Sequence, residues 1–81
     1  MKRYIGVYAK NEKDSHEHQN ALFSVGFGWV SSGMVLQKHT NFYARLEDMK
    51  IITCYHDPSI DEECLALTID QIKNKEWLGR L

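Results

Sequence analysis

Cys54, His56 and Cys64 are the residues whose types best suit covalent or metal chemistry in this chain. A thiol acts as a nucleophile through its thiolate, and a neighbouring imidazolium lowers its pKa. His56 is two residues from Cys54, so on a strand both share one face. Cys54 and Cys64 placed opposite each other would also be a redox pair, provided the spacing a disulfide requires is met. Cys54, His56 and Cys64, with Glu62, are the weak candidates for metal ligands. A structural zinc site needs four converging ligands, and no Cys-x-x-Cys is present to supply two of them. His16-Glu17-His18 is the other candidate, in a polar stretch with no partner motif. The simpler reading is two small free thiols under a terminal helix and a solvated histidine. That reading is preferred, so no metal and no cofactor are expected.

Two further groups suit binding. Lys2, Tyr4, Tyr8 and Lys10 fall on one face of an alternating segment, with Gly6 between the tyrosines. Exposed aromatics can stack on unpaired bases while lysines meet phosphate. Asp57, Asp61, Glu62 and Glu63 form an acidic cluster that can steer a basic protein partner. Trp77, near the chain end, is a candidate binding anchor or a core residue, and Trp29 fits a core strand. Gly26-Phe27-Gly28 lacks the later glycine and the Lys-Ser/Thr of a phosphate loop.

These residues sit in a chain of 81 residues, the size of one domain spanning 1–81. A 43% hydrophobic and 26% charged composition is that of a soluble globular domain. The net charge of −1 argues against a dedicated duplex-DNA or anionic-membrane binder. Residues 1–40 carry five basic and three acidic groups, and the remainder five basic and eight acidic. The start is basic, but its short apolar run contains two tyrosines, so no signal peptide is read. Gln19–Gln37 is uncharged but interrupted by Gly26, Gly28, Ser31, Ser32 and Gly33, which disfavours a membrane span. A cytoplasmic, reducing setting with free thiols is therefore the expectation.

Periodicity supplies the elements. Residues 3–10 alternate, with Arg3, Ile5, Val7 and Ala9 on one face, and read as a strand. Asn11–Asn20 reads as a long polar loop. Ala21, Phe23, Val25, Phe27 and Trp29 alternate and predict a second strand over 21–30. Ser31-Ser32-Gly33 marks a turn. Met34, Leu36, Thr40, Phe42, Ala44 and Leu46 then keep even parity, as one bent strand or a strand followed by a short helix near 41–47. Residues 49–56 and 62–68 read as an antiparallel hairpin across Asp57–Asp61, with Cys54 facing Cys64 and His56 facing Glu62. Its rival is one helix from Ile60 to Leu78, opened by a Ser59–Glu62 capping box. That helix carries two opposed apolar stripes, so the hairpin is preferred. A second capping box, Thr68–Gln71, predicts a helix over 69–78 with Gly79 beyond its end.

The expected fold is therefore α+β, a mostly antiparallel sheet of four to five strands with one C-terminal helix. Closure into a small barrel is one way to manage the sheet edges. No constellation supports an enzyme. The expected function is a small non-enzymatic interaction protein of inhibitor or adaptor type, a profile shared by proteins encoded on mobile elements. Its partner is another protein, with a basic surface facing the acidic cluster. The alternatives are single-stranded nucleic-acid binding through Tyr4 and Tyr8, and a thiol or metal site at Cys54, His56 and Cys64. An open sheet edge also leaves room for a homodimer.

Overall fold

Ile5 and Val7 share the buried face of the first strand and Ala9, just beyond it, is buried too, whereas Arg3 before it is exposed. A computed structural model describes residues 2–80, apart from the side chains of Ser59 and Arg80. Strand β1 (Tyr4–Tyr8) is followed by helix α1 (Glu12–Ser24), β2 (Gly28–Trp29), β3 (Asn41–Arg45), β4 (Lys50–Thr53), β5 (Cys64–Leu65) and helix α2 (Ile69–Lys73). Single 3₁₀ turns cover Pro58–Ile60 and Glu76–Arg80. The fold is α+β, as expected, but the sheet is mixed and open, in the order β2-β4-β3-β1-β5. Strand β3 pairs antiparallel with β1 and β4, whereas β2 joins β4, and β5 joins β1, in parallel. The sheet does not close into a barrel, and β2 and β5 are its edges.

The polar stretch Asn11–Asn20 is not a loop, and 21–30 is not a strand. Both contribute to α1, the main correction to the sequence reading. Asn11 caps the helix by accepting from the Asp14 amide at 2.8 Å, and Glu12 and Asp14 place acids in the first turn. The buried side runs Ser15, Gln19, Leu22, a helical spacing disguised because two of the three residues are polar. Gly26 then takes φ +105°, a left-handed conformation that favours glycine, and the amides of Val25, Gly26 and Phe27 bond back onto the last turn. The alternation of Phe23, Val25, Phe27 and Trp29 thus crosses a helix end and a turn, and only Gly28–Trp29 becomes strand.

Gln19 is the most heavily bonded buried polar side chain. Its Nε2 donates to Ser15 Oγ at 3.0 Å and to the Gln37 carbonyl at 2.7 Å. Its Oε1 accepts from Trp29 Nε1 at 2.9 Å and from the Gln37 amide at 2.8 Å. Ser15 Oγ in turn donates to the His39 carbonyl. Helix α1 thereby holds the irregular segment 34–40 against the end of β2. Gly33 closes the turn after β2 through two main-chain bonds with Trp29, at 2.7 and 2.9 Å.

The hairpin of 49–56 with 62–68 does not form. Residues 41–45 are strand, with no helix near 41–47, and take one side of β4 in four pairs from Phe42–Thr53 to Arg45–Lys50. A short turn joins these two strands. In it Arg45 grips Asp48 at 2.9 and 2.6 Å, and Met49 adopts φ 60°. Strand β2 takes the other side of β4, so β4 has no free edge for residues 62–68. Residues 54–63 instead cross to the far edge, where Cys64 pairs with Tyr4 and Leu65 with Ile5. Cys54 does not face Cys64, and His56 does not face Glu62, because β3 and β1 stand between β4 and β5.

The rival helix from Ile60 to Leu78 does not form either. Of its capping box, the Ser59 side chain lies outside the described residues, and the backbone there makes the 3₁₀ turn Pro58–Ile60. The Thr68–Gln71 capping box is present in both directions and starts α2. The helix stops at Lys73, short of 78, since Lys75 turns to φ 56° and Gly79 falls in the last 3₁₀ turn. Both helices pack on one face of the sheet, over Ile5, Phe42, Ala44 and Ile51. No helix among the described residues is long and apolar enough to cross a membrane.

Gln19→Met keeps the side-chain length and removes all four bonds. It would leave the Trp29 indole N–H and the Gln37 amide without their partners. We expect a loss of about 2–4 kcal/mol, read as a lower urea midpoint at unchanged slope. A loss below about 0.5 kcal/mol would show that the network carries no stability.

Candidate functional site

Residues 54–63 cross the sheet face opposite the helices and bring most of the candidate residues together. Pro58 is buried over Gly6, where an added Cβ would lie 2.9 Å from Pro58 Cβ and 3.2 Å from Cys64. The glycine between the tyrosines of β1 therefore exists to let this connection pass. The Ile60 amide bonds the Asp57 carbonyl at 3.4 Å, and the Asp61 amide bonds the Pro58 carbonyl at 3.2 Å. Asp61 Oδ1 accepts from the Glu63 amide at 2.9 Å, and the Cys64 amide donates to the Asp61 carbonyl at 3.0 Å. The Glu63 carbonyl accepts from Arg3 and Tyr4 amides at 2.8 and 3.1 Å. The main chain is tied down at its ends while several side chains point outward. Tyr55 is 99% exposed and Ile60 77%, and Glu62 and Glu63 on the same connection are exposed too. Asp61 is half-buried. So is Asp57, at a groove shared with Tyr8 and His18 where β5 leaves β1.

The thiols and His56 approach one another without assembling the dyad that nucleophilic chemistry needs. Cys54 Sγ donates to the main-chain carbonyl of His56 at 3.3 Å. The His56 ring bonds Tyr43 Oη through Nε2 at 2.7 Å. Both cysteines are free. Burial pushes the Cys64 thiol up to about 12, with Asp61 and Cys54 adding to the effect. Burial also raises Cys54, with Asp57 adding to the effect and a hydrogen bond from the His56 backbone opposing it. Thiolate is scarce at neutral pH under both conditions. Among the described residues, no three His, Cys, Asp or Glu side chains converge to hold a metal ion. His16 and His18 lie two apart on α1 and so point to different sides. Each instead pairs one turn back, with Glu12 at 3.7 Å and Asp14 at 3.4 Å.

The tyrosines of β1 have separate surroundings. Tyr4 is half-buried, tilted against Tyr43 at 5.2 Å, with the Arg3 guanidinium 5.9 Å from its ring centre. Lys2 donates to the Glu62 carbonyl. Tyr8 is 60% exposed, and Lys10 is exposed beyond it. Trp77 is not a surface anchor. The left-handed turn at Lys75 sends it inward, where it meets Phe27 edge-on at 5.4 Å and is buried.

A second surface was not among the sequence candidates. Val30, Met34 and Val35 are each about 60% exposed, and Leu36 is 42% exposed. The signal for it was the run Met34-Val35-Leu36, three consecutive apolar residues that no single strand face can bury.

The thiol geometry has a pH consequence. A Cys64 pKa raised on folding gives stability that is complete below the ordinary thiol value of 9.0 and lost as pH rises toward about 12. We expect the unfolding free energy to fall across that window and Cys64→Ala to flatten the fall. An equally steep fall in the variant would remove Cys64 as its source. Comparison of the chain with protein-family models, with curated proteins and with solved structures gives no match.

Proposed function

We propose that this chain is a non-catalytic protein-binding module whose recognition element is the connection 54–63. The observation that carries this reading is the exposure of Tyr55, at 99%, and of Ile60, at 77%, on a connection that also exposes Glu62 and Glu63. A large aromatic and a branched aliphatic side chain are costly to leave in water and suit pockets on a partner. Carboxylates around them favour a partner whose pockets are rimmed by lysine or arginine. Charges at such a rim act mainly on the rate and selectivity of encounter, while the apolar anchors set how long the complex lasts. Anchoring of the backbone by Pro58, Asp61 and the β1 amides lowers the ordering cost of binding. Asp57 and Asp61 shape the turn, and Glu62 and Glu63 face the partner.

The test is capture of the partner from the native host, followed by titration of the purified pair. Tyr55→Ala with Ile60→Ala should weaken binding by about 30-fold or more, the loss expected of a central anchor. Glu62→Lys with Glu63→Lys should slow association and reduce its salt dependence. A partner that binds both double variants as it binds the parent chain contradicts the reading. So does a captured nucleic acid whose binding is lost in Tyr8→Ala.

A further inference from the structure

We infer that the open C-terminal half of β1 is a second binding site, a groove that takes an extended peptide segment by strand addition. Strand β1 is paired along its whole length with β3, but with β5 only at Tyr4 and Ile5. The Ala9 amide bonds the Thr40 carbonyl and the Leu46 amide bonds the Arg3 carbonyl, so the odd residues of β1 turn their main-chain groups to β3. The even residues turn theirs to the β5 side, as the Tyr4 amide does in bonding the Glu63 carbonyl. Past Leu65 the chain leaves β1 and enters the Thr68 cap of α2. The Gly6 carbonyl and the N–H and C=O of Tyr8 are thereby directed at a groove of about 380 Å³. Among the described residues, no main-chain group pairs with these three.

The three groups run acceptor, donor, acceptor along the strand, which is the complement of another extended chain. Laid beside Gly6–Tyr8 in either direction, such a segment donates two amides and accepts one. Its residue beside Val7 points to the helix side of the sheet, where Val7 and Leu67 are core residues that line the groove. The residues before and after it point to the outer face, with Tyr8 and Asp57. Asp57 is the one fixed charge among the lining residues and favours a basic side chain there. The fitting ligand is therefore a strand with an apolar residue between two basic ones. Lys10, exposed after β1, has its amide on Asp14 at 3.0 Å, which marks the end of the open stretch. Neither Tyr55 nor Ile60 lines the groove, so it stands apart from the proposed recognition element.

The probe is an acetylated and amidated pentapeptide, Thr-Lys-Val-Lys-Thr, titrated into the full chain to about 10 mM, the range of a weak three-bond contact. In the free chain the Tyr8 amide should exchange as fast as a loop proton. The peptide should slow that exchange by about 10-fold and move the amide shifts of Gly6, Tyr8, Ala66 and Leu67. Two analogues keep every side chain, one N-methylated on both lysines and the other on the valine. One should bind at least about 5-fold more weakly and the other as the parent peptide does, because a strand offers only alternate amides to its neighbour. Y55A/I60A should bind the peptide unchanged, which separates this result from the fate of the proposed partner site. Equal binding by the two analogues overturns the inference. So does a peptide that leaves the Tyr8 amide unprotected, or a shift pattern centred elsewhere. A Tyr8 amide already protected without peptide, by the chain itself or by a second copy as concentration rises, overturns it too.

Discussion

Gln19 brings two donors and two acceptors into the interior, and all four are satisfied by groups from three parts of the chain. A buried amide is expensive when unpaired and useful when fully paired, because it permits one arrangement of its neighbours and penalises the rest. Here it fixes the indole of Trp29, the hydroxyl of Ser15 and the main chain of Gln37 relative to α1. An irregular stretch between β2 and β3 is thereby held in place without secondary structure of its own. The apolar residues it presents stay on the surface because their backbone has nowhere else to go.

The second constraint is strand competition. Among the described residues, β3 alone runs against the other four strands, and it occupies the centre of the sheet. A tight turn, reinforced by the Arg45–Asp48 pair, joins β3 to β4 and forms locally. Once β4 is enclosed by β2 and β3, the chain beyond it must travel to the far edge, and parallel pairing with β1 requires a crossover. That crossover carries the acidic residues and the exposed Tyr55 and Ile60. The proposed recognition element is thus a consequence of topology: a connection over the sheet face, tied where it meets β1.

Much of the architecture is legible in the residues where burial is apolar and periodic. Ile5 and Val7 mark β1 by alternation and Thr68 with Gln71 marks the start of α2, while Phe42 and Ala44 keep the parity of β3 but also fit a short helix near 41–47. Helix α1 is not legible by the same rule, since its inward stripe begins with Ser15 and Gln19, whose partners lie far along the chain. Its readable signals are chemical: an Asn11 cap followed by acids at 12 and 14, and a glycine at 26. The pairing of residues 49–68 is misread because an alternating pattern tells which face a residue occupies and not which strand lies beside it. The same limit applies to the candidate sites. The acidic residues are on a connection, as the Asp-Pro sequence implies, while the thiol site depends on a register that topology forbids. Trp77 turns inward at a left-handed lysine, a conformation that residue type gives little reason to expect.

The claim on which the rest stands is that the Gln19 network is closed. Native-state hydrogen exchange at the Trp29 indole N–H and the Gln37 amide tests it most directly. Both protons should exchange as slowly as the central amides of β1 and β3, and only through global opening. Exchange at the rate of an exposed loop proton would mean that the segment after β2 is free of α1.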